Sequence, residues 1–166
     1  MSIRTELPAR QGPRPRTGPA IPHQQLSQIA PVELQDELWR RMTTLEGVVT
    51  GPSGISFPDT RALHLRPAPN SPEIERFLIG SEFAHLHGPA DGSLHLCLPH
   101  DVVAEVERQG WGELHPIARD GKRPATLLML FGPRDTNELK IVWKLVQVSH
   151  HFARDSQLPS RRGMPS

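Results

Sequence analysis

Glu82-Phe83-Ala84-His85-Leu86-His87, the break Gly88-Pro89-Ala90-Asp91-Gly92, and Ser93-Leu94-His95-Leu96-Cys97-Leu98 form the stretch that decides the fold. Ala84, Leu86, Leu94, Leu96 and Leu98 hold even positions, while Phe83, His85, His87, Ser93, His95 and Cys97 hold odd ones. That alternation is the period of a β-strand. The break reads as a five-residue hairpin loop closed by Asp91-Gly92. Symmetric pairing about the loop sets Ser93 opposite His87, His95 opposite His85 and Cys97 opposite Phe83. All three imidazoles then share one face, where opposed Cβ atoms lie about 4.5–5.5 Å apart. One metal ion or one small polar ligand can touch all three.

Outward from the hairpin, Leu34, Leu38, Met42 and Leu45 recur at helical spacing between Pro31 and Gly47. Val48 to Thr50 and Arg61 to Arg66 read as short strands separated by the Gly51-Pro52-Ser53-Gly54 turn. Pro99 to Gln109 reads as a helix with Val102, Val103 and Val106 on its apolar stripe and Gly110 as its cap. The return through Gly110-Trp111-Gly112-Glu113-Leu114-His115-Pro116 is expected to enter a strand at Ile117 or Ala118. Ala125 to Phe131 is apolar on both faces, as in a strand buried from both sides. Asp135 and Glu138 form the capping box of a last helix, with Leu139, Val142, Trp143 and Val146 facing inward. The order predicts an α+β domain, a mainly antiparallel sheet with three helices packed on one face. With the helices on the leucine face, the histidine face is left open, as a concave sheet surface or a pocket floor.

The 166 residues suffice for one well-buried domain, and a net charge of +1 offers no field to hold nucleic acid or an anionic membrane. A single cysteine excludes an internal disulfide and a cysteine-only zinc site, and favours a cytoplasmic setting. No apolar run approaches the roughly 18–20 residues of a membrane span. Residues 1–28 are rich in proline and arginine with little to pack, so a disordered tail is expected there and again over 155–166, bracketing a domain at 29–154.

The three histidines resist simultaneous protonation unless a metal or carboxylate offsets the charge. Their nitrogens suit a first-row transition metal such as zinc, iron or copper better than magnesium or calcium. Glu82 has ligand chemistry, but its even position points it to the leucine face unless a bulge re-aims it. His115, with Glu113 at strand spacing to fix its tautomer, is the remote candidate for the same site. Cys97 falls on the histidine face, as a nucleophile or a small buried apolar residue. Trp111 reads as the wall of an aromatic ligand or a plug at the sheet edge. His64 is a weaker candidate, and His23, His100, His150 and His151 receive no chemistry.

Glu82 to His87, Asp91-Gly92-Ser93-Leu94-His95, Gly110 to Pro116, and Gly132-Pro133-Arg134-Asp135 with Trp143 resemble, in order and spacing, the luciferase-like domain family. That family includes fungal luciferases and many uncharacterised bacterial proteins, and the likeness spans roughly residues 45–152. It implies a compact α+β domain. For the fungal members it implies oxygenation of a hydroxylated pyrone by molecular oxygen, with loss of carbon dioxide and emission of light. The motif positions carried over are His85, His87, His95 and His115 as catalytic candidates. Asp91, Ser93, Trp111, Arg134 and Asp135 follow as candidates for substrate binding.

The leading expectation is an oxygenase-type enzyme for a planar hydroxylated or enol substrate, with molecular oxygen as co-substrate. A histidine would take the enol proton, and a metal held by His85, His87 and His95 would polarise the same oxygens. The rivals are a non-catalytic module binding a metal or metabolite, and an interaction domain whose tails recruit partners. Light emission is not among the expectations, and the oligomeric state is left open.

Overall fold

The computed structural model describes residues 6–156. The hairpin forms as β3 (Glu82–Leu86) and β4 (Leu94–Cys97), paired antiparallel with His85 opposite His95 and Leu86 opposite Leu94. The His87 N–H donates to the Ser93 carbonyl at 2.9 Å and extends the ladder toward the loop. Gly92 takes φ 71°, a left-handed conformation that closes the loop and that other residues rarely adopt.

Four more strands complete the sheet: β1 (Val48–Pro52), β2 (Arg61–Leu65), β5 (Gly112–Leu114) and β6 (Leu127–Leu130). The order is β1-β2-β3-β4-β6-β5, and every pair is antiparallel. All four residues of β6 are buried, as a strand covered on both faces requires.

Three helices cover the leucine face: α1 (Val32–Met42), α2 (His100–Gln109) and α4 (Thr136–Asp155). Leu38 and Met42, Val102, Val103 and Val106, and Leu139, Val142, Leu145 and Val146 join Phe83, Ala84, Leu86, Leu94, Leu96 and Leu98 in one core. Gly110 ends α2 at φ 83°, and the Asp135 carboxylate accepts the Glu138 N–H at 2.8 Å to start α4. The domain is thus α+β, as expected from the pattern.

A fourth helix was not expected. Where a strand was anticipated at Ile117, the chain forms the single-turn α3 (Pro116–Arg119). Pro116 has no N–H to give a ladder, and the His115 ring accepts from the Ile117 N–H at 3.2 Å as the cap, so a helix start wins locally. The strand of this segment is the short β5 before it.

The larger correction concerns residues 6–28, which pack instead of trailing as a disordered tail. Leu7 is buried in the main core. The Arg10 N–H reaches the Gln109 carbonyl at 2.9 Å, the Trp111 indole donates to the Pro8 carbonyl at 2.7 Å, and Arg14 donates to the Gly112 carbonyl at 2.9 Å. Gln25 is buried and takes the Gly132 N–H on its side-chain oxygen at 3.0 Å. Within the segment the Gly18 N–H bonds the Gln24 carbonyl and the Leu26 N–H the Arg16 carbonyl, both at 2.8 Å, and the anchors above tie this folded strap to the domain. These are long-range contacts that composition does not reveal. Of the second expected tail, Asp155 ends α4 and Ser156 caps it, while residues 157–166 lie outside the described residues. No helix among the described residues is long and apolar enough to cross a membrane.

A candidate active site floored by histidines

The site begins with an irregularity between β2 and β3. Leu63 pairs with Ala84 but His64 pairs with Glu82, so Phe83 is the extra residue of a bulge. Phe83 and Ala84 both turn into the core, which carries Glu82 round to the side of His85. Parity alone had sent Glu82 to the leucine face. Instead its carboxylate accepts from His85 Nδ1 at 2.9 Å, from the Ser53 hydroxyl at 2.7 Å and from the Gly54 N–H at 2.9 Å. Burial works to raise the Glu82 carboxyl, but these bonds outweigh it and hold it below the usual range.

The three imidazoles converge as the register requires. His85 Nε2 lies 3.2 Å from His87 Nε2 and 3.2 Å from His95 Nδ1, and all three rings are buried. His87 Nδ1 is 2.9 Å from the Ser93 hydroxyl, which donates to Asp91 Oδ1; the Ser93 N–H bonds the same oxygen at 3.0 Å. An ionised carboxylate only accepts, so the one Ser93 hydroxyl proton goes to Asp91 and the Ser93 oxygen accepts from His87 Nδ1–H. Burial favours protonation of Asp91, yet His87 and Ser93 hold its pKa down.

His95 has a partner from far away in sequence. His23 Nδ1 lies 3.0 Å from His95 Nε2, and His23 Nε2 lies 2.8 Å from Glu113 Oε1. His23 received no role from the sequence, because nothing in a Pro-rich segment signals a partner 72 residues on. Glu113 was paired with His115 by strand spacing; it bonds His23 instead. His115 caps α3 and packs edge-on against His95 and His23, at 4.9 and 5.1 Å between ring centres. Burial, aided by His23 and Arg123, lowers it to about 4. Burial also lowers His85 and, together with its neighbours His87 and His85, takes His95 well below the ordinary histidine value.

The histidine face is thus the pocket floor, one of the two forms expected of it. It floors a cavity of about 560 Å³, within the usual range for small-molecule sites, whose lining includes Ile21, Pro22, Ile55, Phe57, Asp59 and Thr60. Ile55 and Phe57 are 53% and 50% exposed at its walls, apolar residues in a loop with no core to enter. That mismatch is the signal by which the sequence could have placed them at a site. Asp91 also lines the cavity, while Ser93 stands behind His87.

The other positions carried over by resemblance serve the scaffold. Trp111 is buried in the main core, with its N–H on Pro8. Arg134 is paired with Glu138 at 2.6 Å and bonds the Gln11 carbonyl at 2.7 Å, and Asp135 caps α4. None of the three lines the cavity. Cys97 lies with Leu78, Ala118 and Leu127, and burial pushes its thiol to about 12, so it is a small buried residue and not a nucleophile. His64 bonds the Pro52 carbonyl at 3.0 Å, apart from the histidine floor.

Comparison with known proteins bears directly on this hairpin. A family profile described as "Luciferase domain" matches residues 80–149, from the turn before β3 into α4. Over those residues the chain is similar to luciferase domains. It is 30% identical over 161 aligned residues to proteins named "Luciferase" from Neonothopanus nambi, Armillaria gallica and Armillaria mellea, an alignment covering 87% of this chain. The chain spans about 60% of the length of those relatives. No solved structure matches it. The luciferase-family match takes in His85, His87, His95 and His115, whereas His23 and the Ile55–Phe57 wall lie outside it.

Proposed function

We propose that this chain is an oxygenase-type enzyme that binds a planar hydroxylated, enol-type substrate on the histidine floor and exposes its anion to molecular oxygen. The observation that carries the reading is the convergence of His85, His87 and His95 beneath an apolar-walled cavity of small-molecule size. Ile55, Phe57 and Ile21 suit the faces of a planar ring, and the imidazole nitrogens suit its acidic hydroxyl. Loss of the enol proton leaves an electron-rich anion that itself supplies the electrons dioxygen takes up, so no further reductant is required. His115, its Nδ1 committed to the Ile117 N–H, offers Nε2–H as a donor to a substrate oxygen.

The partner in this reading is a small molecule, not nucleic acid or a membrane. The setting proposed is a reducing cytoplasm, in keeping with a lone buried thiol. The second reading, a non-catalytic metal- or metabolite-binding module, draws on the two histidine groups spaced to hold a metal ion.

Anaerobic titration with a hydroxylated pyrone, followed by ultraviolet absorbance, tests the reading. The spectrum of the ionised substrate should develop below the substrate's solution pKa in the native chain and be lost in His95→Ala. Binding without ionisation, or no binding, contradicts it.

A further inference from the structure

We infer that His85 Nε2, His87 Nε2 and His95 Nδ1 form a facial three-nitrogen site for one divalent first-row transition metal, with their outer nitrogens held by Glu82, Ser93–Asp91 and His23–Glu113. The inference rests on the reading of the cavity as an oxygenase-type site, and with a metal bound the three rings would act as its ligands and the metal, in place of a free imidazole, would favour the ionised substrate oxygen. Its test measures metal occupancy and not turnover, so either claim can fail alone.

A neutral imidazole carries one N–H. The Glu82 carboxylate faces His85 Nδ1 and can only accept, so the His85 proton sits on Nδ1 and Nε2 presents a lone pair. The Ser93 hydroxyl donates its one hydrogen bond to Asp91, so the His87 proton sits on Nδ1 and its Nε2 is also a lone pair. Glu113 draws the proton of a neutral His23 to Nε2, which leaves His23 Nδ1 to accept from His95 Nε2–H. His95 Nδ1 is then the third lone pair.

Three inner nitrogens thus meet with no proton among them, at separations of 3.2 Å from His85 to each of the other two. Facing lone pairs repel, and a cation at their centre removes the conflict. The spacing agrees. Nitrogens bound at about 2.0–2.1 Å in tetrahedral geometry stand about 3.3 Å apart. Each ligating ring also has the outer acceptor that metal-bound histidines characteristically use to fix their tautomer. The cavity lies against the same three rings, on the side where further ligands would enter.

The second group of histidines, His23, His95 and His115, does not meet these conditions. His23 Nδ1 and His95 Nε2 already share a proton at 3.0 Å, and His115 Nδ1 is occupied by the Ile117 N–H. The donor set of nitrogens alone selects zinc, iron, copper or cobalt over magnesium and calcium.

The test uses the full chain purified without a histidine tag, stripped with chelator and titrated with Co²⁺ and Zn²⁺. One Co²⁺ per chain is expected, with visible ligand-field bands that Zn²⁺ displaces. Substituting a ligand, His85→Ala or His95→Ala, should cost more than the about 10–100-fold loss expected for the outer-shell change Glu82→Gln. His115→Ala should leave the affinity essentially unchanged. Circular dichroism reports whether each variant is folded, and Glu82→Gln carries the test if an alanine variant unfolds. No stoichiometric uptake by the native chain overturns the proposal. Equal affinity in the native chain and Glu82→Gln, or loss in His115→Ala with retention in His85→Ala, overturns it too.

Discussion

Glu82 and His85 lie on the same side of the sheet, joined at 2.9 Å, although three residues apart on a strand they belong on opposite faces. The bulge at Phe83 makes this possible, and with it gives the histidine floor its carboxylate. Glu82 is fully buried and also satisfies Ser53 and Gly54. Glu82→Ala strands these donors and should destabilise the fold by about 1–3 kcal/mol in urea unfolding. An unchanged midpoint would show that the carboxylate is dispensable to the site's framework.

Packing of the N-terminal segment is directly accessible to limited proteolysis. Arg10 is only 8% exposed and its N–H is bonded to the Gln109 carbonyl, so trypsin should spare the Arg10–Gln11 bond in the native chain. Rapid cleavage there, ahead of global unfolding, would mean that the segment does not hold its place and that His23 does not reach His95.

The hairpin, the His85–His95 register, the two-sided burial of β6 and the Asp135 cap were all legible, because each rests on local alternation or a local capping pattern. Glu82 was not, because the bulge is set by the partner strand at Leu63 and His64 and leaves no mark in the β3 sequence. His23 was hidden for a different reason: a proline-rich stretch has no periodicity to read, and its role arises from a contact across 72 residues. Trp111, Arg134 and Asp135 show the converse, since motif positions shared with a family here maintain the scaffold and not the cavity.

Acidification should destabilise the metal-free chain. His85, His95, His115 and His150 are all lowered from 6.5 in the folded state, His115 to about 4, with burial as the first cause in each. The unfolded chain then binds protons that the folded chain refuses. Stability is complete above about 6.5 and drains as the pH falls, for His115 across the window from 6.5 to about 4. Glu82, Asp91 and Glu113, all lowered despite burial, add a loss of the same sign at lower pH. Urea midpoints should therefore fall as the pH is taken from 7.5 to 5, and a flat or rising profile would contradict burial of His85, His95 and His115 in the neutral form.

Cys97 should be inert. Its side chain has no exposure and its thiol is pushed up to about 12, so iodoacetamide at pH 8 should label it only in denaturant. Stoichiometric labelling of the native chain would reopen its candidacy as a nucleophile.

Oxygen uptake decides whether the histidine floor is an oxygenase-type site. With a hydroxylated pyrone as substrate, the native chain should consume dioxygen in step with loss of the substrate. His87→Ala and His95→Ala should abolish that uptake while retaining native circular dichroism. Uptake undiminished in both folded variants, or no uptake by the native chain with hydroxylated pyrones and related enols, would contradict an oxygenase-type site on the histidine floor.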